Sequence, residues 1–278
     1  MKKIESLISL AIKEDIGSGD HSGKSCIPED ATGKAKLLAK DEGIIAGLEV
    51  ALEVFRQTDP NLKVEFYYKD GDAIQHGDVV LTLSGNSQAI LRAERLALNF
   101  MQRMSGIATH THNLVQKIKD LNTKILDTRK TTPNSRVFEK MAVKIGGGLN
   151  HRMGLYDMIM IKDNHIDYAG GIAQAINKAK DYLKENNLDI PIEVEARNLQ
   201  EVREILAAPK VERIMLDNFN YENLKTAVEL IGNRSETEAS GGITSETIRD
   251  YALCGVDFIS VGALTHQVKS LDLSLKAF

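Results

Sequence analysis

Arg129 and Lys130 stand side by side in the run "ILDTRKTTPNSR", directly after a short apolar stretch of strand-like character. A solvated basic loop would account for one such pair. Further on, His151 and Arg152 close the glycine-rich run "KIGGGLNHR", and Lys162 follows "DMIMI". Between residues 125 and 165 there are seven Lys or Arg against four Asp or Glu, in a chain of formal net charge -4. A guanidinium grips a carboxylate through two parallel hydrogen bonds, whereas an ammonium acts as a point charge. Arg129, Lys130, His151, Arg152 and Lys162 together therefore suit a ligand with more than one anionic group.

Two further groups of residues have a different chemistry. Glu195 and Asp217 end the apolar runs "PIEVEAR" and "ERIMLDN". Carboxylates so placed commonly hold Mg²⁺, which accepts few protein ligands and takes its remaining oxygens from substrate. The competing reading makes them ion-pair partners of the cations above. Ser240, Gly241 and Gly242 in "EASGGIT", with Val261, Gly262 and Ala263 in "SVGALTH", form the third group. Glycine admits a ligand close to the backbone, and successive amide groups leading into a helix attract a phosphate. Polyanion, metal and phosphate sites together fit a small multi-carboxylate and a phosphorylated sugar.

Other candidates are weaker. His110 and His112 are two apart and would not face one another on a helix, which argues against a metal pair. "KIGGGLNHR" has neither a Walker ending nor dinucleotide-binding spacing, and no nucleophile elbow supports acyl transfer. Cys26 and Cys254 lie far apart without a partner motif and read as reduced thiols of a cytoplasmic protein. The acidic balance argues against bulk nucleic-acid or membrane-surface binding, and no run reaches membrane-spanning length.

The elements that must position these groups fall into two halves. Residues 1–104 read as an amphipathic helix, short strands with Gly-Asp turns that suit an antiparallel or mixed sheet, and a long closing helix. Residues 105–267 alternate strand and helix, the signature of parallel strands covered by crossover helices. The strand-like runs are "KILDT", "DMIMIKDN", "PIEVEAR", "ERIMLDN", "ETEASGG" and "DFISVGA". Six are short of the eight in a closed barrel, so the expectation is an irregular, incomplete parallel α/β barrel. Each run carries its polar residues at its carboxyl end, where such barrels build their active sites. The Arg-Lys pair is then one segment of a ring.

"EDIGSGD", "QRMSGIAT", "LDTRKTTP", "KIGGGLNHRMGLYDMIMIKDNHI", "EVEA", "MLDN", "EASGGI" and "ISVGALTH" resemble the successive motifs of the quinolinate phosphoribosyltransferases, the carboxylating nicotinate-nucleotide pyrophosphorylases. The resemblance spans nearly the whole chain and implies an N-terminal α/β sandwich domain, 1–104, ahead of the irregular barrel. It implies transfer of phosphoribosyl from phosphoribosyl pyrophosphate to quinolinate, with loss of carbon dioxide and pyrophosphate, in NAD biosynthesis. It implies quinolinate contacts at Arg129, His151, Arg152 and Lys162, with Thr128 among the substrate contacts. Lys130 lies between the two substrates, and Glu195 and Asp217 form the Mg²⁺ and ribose sector; these three are the expected catalytic groups. Ser240, Gly241, Gly242, Val261, Gly262 and Ala263 match the phosphate loops. Arg103 matches an arginine lent by a neighbouring subunit, which implies a homodimer with a shared site, or a hexamer of such dimers. The tail, 268–278, is expected to pack on the N-terminal domain. "GDHSGKSC" departs from the family's usual Gly-Asp followed by threonines. A paralogue acting on another acceptor, a non-catalytic sugar-phosphate binder, and a lyase with Lys162 as Schiff base are the competing functions.

Overall fold

The computed structural model describes residues 2–278. In chain order come α1 (Lys2–Ile16), α2 (His21–Cys26), β1 (Thr32–Ala39), β2 (Gly43–Ile44), α3 (Leu48–Thr58) and β3 (Lys63–Phe66). Next are β4 (Ala73–Ile74), β5 (Val79–Asn86), α4 (Ser87–Lys117), β6 (Lys124–Leu126) and α5 (Arg136–Ile145). Strand–helix alternation follows with β7 (Ile159–Ile161), α6 (Asp163–Ala169), α7 (Ile172–Glu185), β8 (Ile192–Ala196), α8 (Leu199–Ala207) and β9 (Arg213–Asp217). The chain closes with α9 (Tyr221–Ile231), β10 (Glu236–Ser240), α10 (Ile248–Ala252), β11 (Phe258–Ser260), α11 (Ala263–His266) and β12 (Leu273–Ala277).

Two compact units result. One contains the chain up to His112, Thr131–Gly147 and Leu264–Phe278; the other contains Asn113–Lys130 and Gly148–Ala263. The 104/105 boundary drawn from the sequence falls inside α4, whose buried stripe continues through Met104, Ile107 and Ala108 without a cap. Nothing in those residues stops a helix, so the backbone hydrogen bonds run on.

The first unit is built on an antiparallel sheet of order β12-β1-β5-β3. On β1, Ala35, Leu37 and Ala39 are buried while their neighbours are not, the alternation of a strand with one covered face. Val50, Ala51, Val54 and Phe55 repeat at helical spacing on α3 and are buried. β12 pairs along β1 from Ala35↔Ala277 to Ala39↔Leu273, so the chain's last strand covers an edge that would otherwise be open.

The second unit is a parallel sheet of order β6-β11-β10-β9-β8-β7. All five residues of β8 are buried, as expected of parallel strands covered on both faces. Among the described residues no ladder joins β6 to β7. A single parallel bridge, Leu126↔Leu149, occupies the other side of β6. The barrel is incomplete, and because its strands are parallel, all their carboxyl ends lie at one edge.

Candidate active site

The second unit brings most of the ring residues to that edge. Immediately after β6, Asp127 is fully buried, and its Oδ1 accepts the His151 N–H at 2.9 Å. Leu149 N donates to Ile125 O at 2.8 Å, and Asp127 N donates to Leu149 O at 3.1 Å. These bonds lay the segment around Leu149 along β6 like a short extra strand. Residues more than twenty apart in sequence thereby become neighbours: His151 and Arg152 sit beside the end of β6, from which Arg129 and Lys130 emerge. Thr128 Oγ1 accepts the Lys130 N–H at 3.1 Å in a tight turn that leaves Lys130 exposed.

Arg152 donates from Nη1 to Met158 O at 3.3 Å. Asp157 holds the turn that follows, accepting the N–H groups of Met153 at 2.6 Å and Gly154 at 2.9 Å. Burial pushes the Arg152 guanidinium below its ordinary range, and the nearby charge of Arg129 pushes it further. Two guanidiniums that repel one another, one of them half-buried, form a site that an anion relieves.

Lys162 leaves β7 and its Nζ lies 2.6 Å from Oε2 of Glu195 at the end of β8. The sequence placed these two in different sectors. In the fold they form an ion pair, with Glu195 9% exposed and Lys162 44%. Asp217, at the end of β9, accepts from Asn218 Nδ2 at 2.6 Å. Asn218 adopts a left-handed φ of 56°, and its N–H donates to Ser240 O at 2.9 Å. Gly241 has a φ of 102°, and a Cβ there would overlap the Asn218 side chain. Glycine is required at that position both by the backbone and by the close approach of the Asp217–Asn218 turn. Val261 N donates to Leu126 O at 2.9 Å, extending the β11–β6 ladder by one step before Gly262 and Ala263.

His151 is placed differently from the other cations. Its side chain is 4% exposed and points inward, with Nε2 2.9 Å from Glu193 Oε2 and 3.4 Å from Glu238 Oε2. Nδ1 accepts the Arg152 N–H at 2.7 Å. Nδ1 is thus engaged within the unit, and Nε2 stands close to both carboxyl groups. Glu238 is also 3.2 Å from Arg213 Nη1, while Arg213 Nη2 reaches Glu236 at 2.9 Å and its guanidinium lies 4.1 Å from the Phe258 ring centroid. Burial, and then the charge of Glu238, raises the Glu193 carboxyl to about 7. Burial also works to raise Glu238, but hydrogen bonds from His151 and Ser260 and the charge of Arg213 hold it below the usual carboxylate range. For His151, burial disfavours the charged ring, yet the two glutamates outweigh it and raise it to about 9. That value and the Nδ1 contact pull in opposite directions, because a ring protonated on both nitrogens would set two N–H groups against each other. The hydrogen-bond geometry decides it here: Nδ1 is an acceptor.

Arg103 belongs to the first unit. Its Nε and Nη2 donate to Glu139 Oε1 at 3.2 and 2.8 Å, and Nη2 also donates to Thr265 O at 2.5 Å. Glu139, on α5 and 1% exposed, further accepts the Thr132 hydroxyl at 2.8 Å and the Thr132 N–H at 3.1 Å. With Phe100 and Phe138, these two charged residues line a cavity of about 200 Å³.

Glu193, Glu238, Arg213 and Glu139 escaped the reading of the sequence. Glu193 had a signal: it is two residues from Glu195 on one strand and so shares its face. Glu139 had none, since an acid on an amphipathic helix ordinarily faces water. No helix among the described residues is long and apolar enough to cross a membrane.

Comparison with known proteins places these residues in context. Residues 20–105 match the family described as quinolinate phosphoribosyl transferase, N-terminal domain, and 107–276 match its C-terminal domain. The chain is 50% identical to the chloroplastic nicotinate-nucleotide pyrophosphorylase [carboxylating] of Arabidopsis thaliana, over 98% of this chain and 82% of that one. It is 43% identical to a probable nicotinate-nucleotide pyrophosphorylase [carboxylating] of Bacillus subtilis, covering 98% and 93%. The crystal structure of NadC from Streptococcus pyogenes superposes with a TM-score of 0.93 at 42% identity, covering 98% of this chain and 95% of that one.

Proposed function

The chain belongs to the quinolinate phosphoribosyltransferase family, and from that premise we propose how its own residues carry out the reaction. It transfers phosphoribosyl from phosphoribosyl pyrophosphate to quinolinate, releasing pyrophosphate and carbon dioxide and leaving nicotinate mononucleotide. The observation that carries the assignment of roles is the backbone pairing that sets Arg152 beside the end of β6, from which Arg129 emerges, so that the two carboxylates of quinolinate would meet two guanidiniums. A monocarboxylate would leave one of them unmet, which favours quinolinate over the acceptor of a paralogue.

As pyrophosphate departs, positive charge develops on the anomeric carbon, and Glu195 and Asp217 stabilise it electrostatically. The pyridine nitrogen attacks that carbon, and no protein nucleophile is needed. Once the nitrogen is quaternised, its positive charge stabilises the electron pair left on the adjacent ring carbon as carbon dioxide departs, and that carbon then takes a proton. Arg129, His151, Arg152 and Lys162 orient the acceptor, and Lys130 lies between the two substrates. The glycine loops at Ser240–Gly242 and Val261–Ala263 receive the phosphate.

Mg²⁺, when bound, neutralises the pyrophosphate leaving group. Glu195 and Asp217 fit it as a sparse ligand set: each has one oxygen taken, by Lys162 and Asn218, and one remaining for the metal or its water. Arg103 completes a neighbouring subunit's site in a homodimer, or in a hexamer of such dimers. The cytoplasm is the compartment assigned, in keeping with two free cysteines.

The test is pyrophosphate release by the purified protein with each substrate alone and with both. Release is expected only with both, accompanied by stoichiometric carbon dioxide. Equal release with nicotinate in place of quinolinate would transfer the protein to the paralogues.

A further inference from the structure

β9 and β10 run side by side in parallel with Ser240 opposite Asp217, and β9 ends there. The chain then has little length before α9. Phe219 is buried, with its carbonyl accepting the Tyr251 hydroxyl at 3.4 Å, and Asn220 caps the helix by accepting the Asn223 N–H at 2.8 Å. Between the strand and Phe219 stands Asn218, exposed and left-handed at a φ of 56°. In an extended continuation its side chain would point to the face opposite that of Asp217. The left-handed turn brings it back, and Nδ2 donates to Asp217 Oδ2 at 2.6 Å. An ionised carboxylate only accepts, so the NH₂ group belongs on that side and the amide oxygen on the other. That oxygen occupies the space which a Cβ on Gly241 would need. The backbone N–H of the same residue donates to Ser240 O at 2.9 Å.

We propose that Asn218 is a positioning residue for phosphoribosyl pyrophosphate, setting the Asp217 carboxylate at a fixed place relative to the Ser240–Gly242 loop. One residue then braces the group assigned to the ribose and Mg²⁺ against the loop assigned to the phosphate, and the inference rests on those two assignments. The turn by itself does not call for this side chain. Asparagine tolerates a left-handed backbone, but glycine adopts it at no steric cost. What glycine lacks is the donor to Asp217 and the contact against Gly241.

The choice of an amide has its own reason. Glu195, on the neighbouring strand, is met by the cation of Lys162 at 2.6 Å. Asn218 orients Asp217 through a neutral donor and leaves its negative charge undiminished. That charge is what attracts a hard cation and stabilises a cationic anomeric carbon. A carboxylate held in one rotamer before the substrate arrives has less to reorganise when charge develops. Removing the amide loosens both contacts to one substrate and neither contact to the other.

The test compares substitutions that separate backbone from side chain. Asn218→Gly keeps the left-handed turn and deletes the donor. It should raise the KM for phosphoribosyl pyrophosphate about fivefold, the loss of an exposed hydrogen bond to a charged group, while the KM for quinolinate stays within about twofold. Asn218→Ala should raise it at least as much and also lower the unfolding midpoint, because a methyl group is strained at this φ. A glycine variant that behaves as wild type beside a defective alanine variant would show that only the turn matters, and would overturn the proposal. Equal rises for both substrates would overturn it too. Calorimetry of phosphoribosyl pyrophosphate with Mg²⁺ then reads a double-variant cycle without relying on turnover. With Asp217→Asn already in place, adding Asn218→Gly should weaken binding by less than about twofold; a further loss of about fivefold would mean that Asn218 does not act through Asp217. If Asp217→Asn itself leaves this binding intact, the role given to Asp217 falls and the inference falls with it. If Asp217→Asn weakens binding and Asn218→Gly does not, only the inference falls.

Discussion

Replacing Glu139 by glutamine changes one atom and should cost far more than its size suggests. Its two oxygens receive four bonds: Arg103 Nε and Nη2 and the Thr132 hydroxyl at Oε1, and the Thr132 N–H at Oε2. An amide has one acceptor oxygen. Its best orientation keeps the carbonyl at the Oε1 position, where three donors converge. The NH₂ group then faces the Thr132 N–H, donor against donor, in a site where the parent side chain is 1% exposed. The loss combines the charge assistance to Arg103 with one buried N–H left unmade, about 2–4 kcal/mol in all. For a domain of this size that corresponds to a fall in Tm of roughly 4–16 °C. The assay is thermal unfolding of the two purified proteins under identical conditions. Arg103→Ala provides the control, because with Arg103 gone the Glu139→Gln substitution should cost less. A Glu139→Gln protein melting within 2 °C of wild type (roughly half the smallest fall expected) would refute the idea that this carboxylate anchors Arg103 and the loop after Lys130.

Glu195→Gln and Asp217→Asn should lower turnover and weaken its Mg²⁺ dependence more than quinolinate affinity, since the amides keep shape and delete charge; wild-type turnover at limiting Mg²⁺ would make both residues structural. Inactive Arg103→Ala and Lys162→Ala chains, co-expressed, should regain about a quarter of wild-type site activity, because half of randomly mixed two-fold dimers carry one intact site. No recovery in mass-verified mixed dimers would confine Arg103 to its own chain. Arg213→Met should destabilise the protein by about 3–5 kcal/mol by leaving the buried Glu238 carboxylate without its ion-pair partner, and adding Glu238→Gln should restore much of it; unfolding midpoints of the single and double variants settle the matter.

Much of the fold was legible because it follows from local patterns. The six parallel strands are short apolar runs ending in polar residues, and a right-handed crossover puts those ends at one edge whatever the loop details. That rule alone gathered Arg129, Lys162, Glu195, Asp217 and Ser240 into one ring. The family motifs added the chemistry. Positions within the ring were another matter. Lys162 and Glu195, read as members of separate sectors, form an ion pair because β7 and β8 are adjacent in the sheet, an order that no stretch of sequence states. The division of the chain was likewise tertiary: α5 follows the first parallel strand yet belongs to the first unit. Nothing in its residues marks that assignment.

The inward turn of His151 is the sharpest case. Its type and its place in the glycine-rich run fixed only that an imidazole would stand next to Arg152. That it also stands against two carboxyl groups depends on Glu193 and Glu238, on strands β8 and β10. Sequence determines what a side chain can donate, accept or ionise, and its local periodicity determines the element that carries it. Which partner it meets, and therefore which carboxylate remains charged, is decided by long-range pairing, where desolvation makes each unpaired group expensive.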